Sequence, residues 1–96
     1  MIDLHYFPGN ASLTPHLLLE ELGTPYRLVL VDRAQGAQHS AAYKALNPNG
    51  RIPTLVDGDL VLWETAAIVL HLVDTHPAAG LAPAVGTPAR AHFYKW

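Results

Sequence analysis

Glu64 and Thr65 lie at the predicted start of a helix, a position that can bind a charged ligand. They open a long apolar run, and the first turn of a helix offers free backbone N–H groups and a positive dipole end. A ligand carrying both an ammonium and a carboxylate fits this pair, since Glu64 would meet the ammonium and Thr65, with the helix N–H groups, the carboxylate. The alternative is a simple cap, because acidic residues and threonine also stabilise helix starts without a ligand.

Arg51, Ile52, Pro53 and Thr54 form the second candidate site, at the mouth of a predicted strand. A proline there must spare the hydrogen bonds of the sheet. If the Ile52–Pro53 bond is cis, Ile52 keeps its N–H and C=O pointing outward, and such an edge pairs with an extended peptide ligand. The alternative is an ordinary trans proline that starts a strand.

The turn at residues 8–12 leads into the first predicted helix and carries a third candidate, Ser12. A hydroxyl at a helix N-terminus can donate to a thiolate and hold it ionised. The alternative, and the commoner use of serine at this position, is capping of the helix by Ser12 or Thr14.

Composition excludes several other classes of site. The chain has 96 residues, no cysteine and a net charge of −2, which excludes thiol redox catalysis of the thioredoxin or glutaredoxin type and Cys-ligated zinc. The six histidines show no metal-binding spacing, and we expect no metal site. The chain has no block of basic residues of the kind that binds nucleic acid, and we expect no nucleic-acid partner. No apolar run approaches the roughly 20 residues that span a bilayer, so we expect no membrane partner and a cytoplasmic location.

The elements that must position these residues follow the order β-α-β-α-β-β-α. Strands are predicted at 2–6, 26–31, 52–56 and 60–63, with a hairpin at Asp57-Gly58-Asp59, and helices at 13–22, 41–46 and 65–73. The first βαβ unit implies a right-handed parallel crossover, and the hairpin adds an antiparallel edge. We therefore predict an α/β sandwich of thioredoxin-like topology, a four-stranded mixed sheet with helices on both faces.

Burial can also be predicted along these elements. The apolar run 26–31 suits a strand buried on both faces. Leu13, Leu17, Leu18 and Leu22 are expected on one broad inward face of the first helix. The helix at 66–73 is apolar around most of its circumference, which indicates burial on more than one side.

The last residues predict a second structural unit. Residues 79–88 are rich in proline and small residues and read as a linker, so the first domain is placed at 1–78. Thr87 and Pro88 are a cap and first-turn pair for a helix over 89–96. Three of the last four residues are aromatic, which indicates a chain cut inside an element.

Three segments together resemble the N-terminal domain of cytosolic glutathione S-transferases of bacterial type. They are Leu17-Leu18-Leu19-Glu20-Glu21-Leu22-Gly23; Asn47-Pro48-Asn49-Gly50-Arg51-Ile52-Pro53-Thr54-Leu55 with Asp57-Gly58; and Glu64-Thr65-Ala66-Ala67-Ile68. Each is weak alone, but their order and spacing from Ile2 to about Leu81 are specific. The resemblance implies the same thioredoxin-like fold, followed by the start of an all-helical C-terminal domain.

The resemblance also implies a glutathione site. Pro53 would be cis, Ile52 would pair through its backbone with the cysteinyl part of glutathione, and Glu64 with Thr65 would hold the γ-glutamyl group. Arg51 and His39 would face the glycyl carboxylate.

The chain departs from the resemblance at the catalytic position. Many bacterial relatives have cysteine where this chain has Ala11, so a mixed-disulfide mechanism is impossible here. Ser12 is the first candidate for the donor to the thiolate and Asn10 the second, whereas Tyr6 belongs to the strand.

The function implied by the resemblance is a cytoplasmic, homodimeric, detoxifying glutathione transferase that activates the thiolate for attack on a small electrophile. Glutathione would be its co-substrate, with no metal. Isomerase, dehalogenase or lyase chemistry would use the same site. The alternative from another class is a non-catalytic module that keeps the fold and has lost turnover.

Overall fold

A computed structural model describes residues 1–95 of the chain, and four strands and four helices account for most of them. In chain order these are β1 (Ile2–Tyr6), α1 (Leu13–Leu22), β2 (Tyr26–Leu30), α2 (Ala41–Leu46), β3 (Thr54–Asp57), β4 (Leu60–Trp63), α3 (Thr65–Thr75) and α4 (Pro88–Tyr94). Short 3₁₀ turns lie at Arg33–Gln35, Ala37–His39 and Pro77–Ala79.

The strands form one mixed sheet in the order β2-β1-β3-β4. β1 runs parallel to β2 and antiparallel to β3, which pairs with β4 through the predicted hairpin. This confirms the predicted α/β, thioredoxin-like fold. β3 begins two residues later than predicted, at Thr54, because Pro53 has no N–H to donate to the ladder.

The core lies between the sheet and one helical layer. Ile2, Leu4 and Leu55 from the sheet pack against a set of helix residues, Leu19 of α1 with Ile68 and Leu72 of α3. The predicted inward face of α1 is therefore wrong in part. Leu13 and Leu17 are 52% and 60% exposed, and the fully buried leucine is Leu19. A helix with leucines around its circumference does not reveal which side meets the sheet.

β2 is exposed over much of its length, contrary to the prediction that it is buried on both faces. The sheet order places β2 at an edge and β1 beside it in the interior. Beyond its end, Val31 is buried and donates to the Tyr6 carbonyl at 2.9 Å. The Tyr26 hydroxyl ties β2 to α1 by donating to the Glu20 carboxylate, which raises the pKa of Tyr26 to about 12.

α3 buries one side, at Ile68, Leu72 and Val73, while Ala66 is exposed. Within residues 1–95 the predicted burial on more than one side is thus not complete. No helix in this part of the chain is both long and apolar enough to cross a membrane.

α4 corresponds to the helix predicted over 89–96 and begins one residue earlier, at Pro88. Trp96 lies outside the described residues. As predicted, Thr87 caps the helix by accepting from the Arg90 N–H at 3.2 Å. The Arg90 side chain is buried and donates to Asp74 of α3 at 2.8 Å and to the Pro83 carbonyl at 3.0 Å. The start of α4 is therefore fastened to the end of α3.

Candidate functional site

Two adjoining cavities lie where the β1–α1 loop, the entry to β3 and the start of α3 meet. The first is about 400 Å³ and the second about 190 Å³. Ala11, Arg51 and Ile52 line both, so these three residues mark the junction. An extended ligand can therefore reach from one cavity into the other along Ile52.

The entry to β3 presents Ile52 as a free backbone edge. The Ile52–Pro53 peptide bond is cis, and ladder pairing starts only at Thr54, opposite His5. Among residues 1–95 no group pairs with the N–H or C=O of Ile52. A peptide-like ligand lying along Ile52 would satisfy both groups.

Buried polar side chains in and just after α2 fix the backbone next to Ile52 by hydrogen bonds. The Tyr43 hydroxyl donates to the Arg51 carbonyl and lies 2.7 Å from the Thr54 hydroxyl. The Asn47 amide donates to the same two groups, at 3.0 and 3.2 Å. Burial raises the pKa of Tyr43, so its hydroxyl keeps its proton. The backbone on either side of Ile52 and Pro53 is fixed without using Ile52 itself.

Glu64 is the residue before α3 and has a positive φ of 73° with ψ 118°, which lies outside the left-handed helical region. It is the only non-glycine residue with positive φ among residues 1–95. The Glu64 side chain is exposed and makes no capping hydrogen bond, so simple capping by its carboxylate is not what the structure shows. Strain of this kind in a non-glycine residue is found mostly at functional sites. Glu64 and Thr65 line the second cavity.

Basic side chains line part of the first cavity. Arg33, His39 and Arg51 contribute to its lining, and none of the lining residues in the described part of the chain is acidic. Gly50 brings the His39 segment close, because a Cβ at this position would lie 3.0 Å from the Gln38 carbonyl oxygen. One end of the combined site therefore suits a carboxylate, and the other end, at Glu64, suits an ammonium.

The β1–α1 loop is closed by Ser12. The Ser12 Oγ accepts from the Phe7 N–H at 3.2 Å and lies 3.0 Å from the Phe7 carbonyl and 2.7 Å from the Asn10 Oδ1. Ser12 occupies the N-cap position of α1, but its hydroxyl makes no capping hydrogen bond, so the prediction that the Ser12 side chain caps the helix is wrong. The hydroxyl points back into the loop, and the Leu13 N–H at the start of α1 donates instead to the Asn10 carbonyl at 3.1 Å.

The structure brings most of the predicted site residues together around the cavities: Asn10, His39, Arg51, Ile52, Pro53, Glu64 and Thr65. Ser12 lines neither cavity and is 3% exposed. Sequence reasoning missed Arg33 and Trp63, which line the first and second cavity. A cation in the loop after β2 was the only available signal for Arg33, and nothing in the sequence distinguished Trp63 from a core aromatic residue. No group of three or more His, Asp or Glu side chains within residues 1–95 could hold a metal ion.

Comparisons of sequence and of structure with known proteins point to one protein family. The family described as "Glutathione S-transferase, N-terminal domain" matches residues 2–74. Glutathione S-transferase GstB of Escherichia coli K12 is 43% identical over 83 residues, which are 83% of this chain and 39% of that protein. Glutathione S-transferase GST-4.5 of Xanthomonas campestris pv. campestris is 36% identical over 95 residues, 99% of this chain and 46% of that protein.

Solved structures agree. A glutathione transferase homologue from Sulfitobacter with bound glutathione superposes with a TM-score of 0.87 at 37% identity, over 98% of this chain and 47% of that one. The glutathione transferase URE2P8 of Phanerochaete chrysosporium, with oxidised glutathione, superposes with a TM-score of 0.91 at 34% identity, over 99% and 45%. The chain thus spans less than half the length of these relatives.

Proposed function

The chain belongs to the glutathione S-transferase family, whose N-terminal domain it carries, and from this premise we propose that it binds glutathione across the two cavities. The observation that carries the proposal is the polarity of the joined site. Basic residues line one end, Glu64 and Thr65 line the other, and the free backbone edge of Ile52 lies between them. Glutathione carries its groups in the same order along its length: the glycyl carboxylate, the cysteinyl peptide part, and the ammonium and carboxylate of the γ-glutamyl group.

Each part of glutathione then has a partner. The glycyl carboxylate meets Arg51, His39 and Arg33. The cysteinyl part pairs with the backbone of Ile52 beside Pro53. The γ-glutamyl ammonium meets Glu64, while its carboxylate meets Thr65 and the N-terminus of α3, where N–H groups and the helix dipole favour an anion.

The proposed reaction is conjugation, in which the glutathione thiolate attacks an electrophilic small molecule and displaces a leaving group or adds to an activated double bond. Thr65 also lines an apolar cavity of about 620 Å³ between α1, α3 and α4, together with Val69, Leu70 and Phe93. An apolar electrophile held there would lie beside the glutathione site. The donor to the thiolate is placed in the β1–α1 loop, where sequence reasoning offers Ser12 and Asn10.

The organisation of the whole protein is part of the same proposal. Residues 1–78 form the glutathione-binding domain, 79–88 the linker, and 89–96 the start of an all-helical domain. A cytoplasmic homodimer with a role in detoxification fits this family.

Thermal unfolding of the full-length protein with and without glutathione tests the proposal. A ligand present at 100 times its Kd stabilises the folded state by about 2.7 kcal/mol, so millimolar glutathione should raise Tm clearly. Glu64→Ala should reduce the shift by about half or more, because it removes the partner of the ammonium and weakens binding at least about tenfold. Glu21→Ala, an exposed glutamate on α1, should leave it intact. A wild-type protein with no shift would contradict glutathione binding.

A second function, binding without turnover, is favoured by one observation. Ala11 contributes only a methyl group at the junction of the cavities, and the chain has no cysteine that could act there. Glutathione binding without conjugation across several classes of electrophile would support this alternative.

A further inference from the structure

Ser12 has contacts that conflict with a direct role at the sulfur. Its side chain is buried and lines neither cavity. A serine hydroxyl has one proton, and both acceptors within its reach belong to the loop, the Phe7 carbonyl and the Asn10 Oδ1. The proton is therefore already used inside the loop and does not face a ligand.

Asn10 is oriented by the same set of contacts. The Ser12 backbone N–H donates to the Asn10 Oδ1 at 2.8 Å. A backbone N–H cannot accept, so the amide oxygen must face Ser12 and the amide nitrogen must face away from it. Asn10 lines the first cavity, and within residues 1–95 its Nδ2 has no hydrogen-bond partner. Two N–H donors are thus left unused on a side chain whose oxygen is held twice.

We propose that the Asn10 amide, not the Ser12 hydroxyl, donates the hydrogen bond that holds the glutathione sulfur as a thiolate, and that Ser12 is a positioning residue that fixes this amide. The inference rests on the proposed function, since it requires glutathione bound along Ile52. Ala11, next in the chain, lines both cavities beside Ile52, so the loop borders the place where the cysteinyl part would lie.

The chemistry needs no covalent step on the protein. The thiol releases its proton to water, and the Asn10 N–H keeps its own proton while donating to the negative sulfur. A donor that binds only the charged form strongly lowers the pKa of a thiol. Ser12 contributes by keeping the Asn10 oxygen turned away, since a rotated amide would present a lone pair that repels the thiolate.

The test is a pH titration of the ultraviolet thiolate absorbance of glutathione bound to the full-length protein. Asn10→Ala should raise the pKa of the bound thiol by about one unit, which lowers the thiolate fraction about tenfold on the acidic side. Asn10→Asp keeps an oxygen acceptor for both Ser12 contacts but replaces the N–H donors by a carboxylate oxygen. It should raise the thiol pKa further while leaving Tm close to that of the wild type.

Ser12→Ala separates a positioning role from a direct one. It should raise the thiol pKa by less than Asn10→Ala does, and in the Asn10→Ala background it should raise it no further, because its effect passes through Asn10. An additive double variant, or an unchanged thiol pKa in Asn10→Asp, would overturn the inference. Calorimetry of glutathione binding distinguishes a failure of the proposed function from a failure of the proposed role of Asn10. If the wild type binds no glutathione, the proposed function fails, whereas binding with a thiol pKa indifferent to Asn10 contradicts this inference alone.

Discussion

Glu64 shows how a single residue can combine local strain with a binding role. A non-glycine residue held in a sparsely populated region of positive φ costs on the order of 1–3 kcal/mol. Glycine, which has no Cβ, adopts positive φ at a lower cost, yet this position carries a carboxylate that makes no capping bond. The proposed contact with the γ-glutamyl ammonium gives a reason for a side chain here.

Glu64→Gly should therefore separate stability from binding. We expect the free energy of unfolding to rise by about 1 kcal/mol, while glutathione affinity falls at least about tenfold because the charged hydrogen bond is lost. Chemical denaturation and calorimetry measure the two effects. Glu64→Ala is the matched control, with the same loss of affinity and no gain in stability. A glycine variant no more stable than the alanine variant would show that the backbone is not strained.

Two segments that line the first cavity lie close together at Gly50. Gly50 is buried with φ 63°, and an added Cβ would lie 3.0 Å from the Gln38 carbonyl oxygen and 3.5 Å from the His39 Nδ1. The first contact is with backbone, so the 3₁₀ turn at Ala37–His39 would have to move. His39 would then leave the cavity wall.

Gly50→Ala should lower stability by about 2 kcal/mol or more and weaken glutathione binding. Gly58→Ala is the matched control, because Gly58 has nearly the same φ, 61°, and open space around its Cβ position. It should lose only the roughly 1–2 kcal/mol of the backbone conformation and keep its affinity. Denaturation midpoints and calorimetry compare the two variants. Equal losses in both would contradict a steric role for Gly50.

The face of the sheet that packs on α2 carries a titrating group, His5. It is half-buried, its ring lies 6.0 Å from that of Tyr43, and burial lowers its pKa below the ordinary value despite attraction from Asp3. The unfolded chain therefore binds a proton at His5 more readily than the folded one. The resulting stability is present above the unfolded pKa of about 6.5 and is lost as the pH falls through the lower folded pKa.

Urea denaturation between about pH 7.5 and about pH 5.5 measures this effect. The wild type should lose more stability over that interval than His5→Gln, which cannot titrate. Asp3 is present in both proteins, and its pKa, lowered chiefly by the hydrogen bond from Arg27, lies below this pH interval, so its carboxylate stays ionised in each. Parallel loss in the two proteins would show that His5 is not the group responsible.

Element bounds were largely predictable because local chemistry sets them. Ser40 caps α2 by accepting from the Tyr43 N–H at 3.1 Å, and Gly23 ends α1 in the left-handed conformation. Such signals act within a few residues. The burial of elements was not predictable in the same way. The edge position of β2 and the inward turn of Leu19 depend on strand order and on packing between segments distant in sequence.

The candidate site was predictable where backbone position decides it and not where side-chain direction does. Glu64 and Pro53 could be placed because a helix start and a strand entry fix their surroundings. The direction of the Ser12 hydroxyl, back towards Phe7, depends on the path of one loop. Arg33 lines the cavity from a 3₁₀ turn that ends at Gly36 in the left-handed conformation.

At the scale of the whole molecule, Arg90 joins α4 and the segment before it to the end of α3. Arg90 is 6% exposed and contacts Asp74, the Pro83 carbonyl and the Tyr94 hydroxyl. Its guanidinium carbon also lies 5.2 Å from the centre of the Phe93 ring. One side chain thus contacts the end of α3, the linker and α4 itself. Because Phe93 lines the apolar cavity between α1, α3 and α4, the position of α4 also shapes the proposed electrophile site.

Removing these contacts should loosen the linker before it unfolds the domain. Arg90→Met keeps an apolar chain of similar length but loses every donor, so the segment at 80–87 should open more often. Limited proteolysis should cleave this segment several-fold faster, since cleavage tracks the population of the open form when opening is rapid.

Asp74→Ala should have a smaller effect, because Asp74 is 54% exposed and the Pro83 and Tyr94 contacts remain. Arg27→Met, at the opposite sheet edge, serves as the control. Equal cleavage rates in Arg90→Met and the control would show that the linker is held by something other than Arg90.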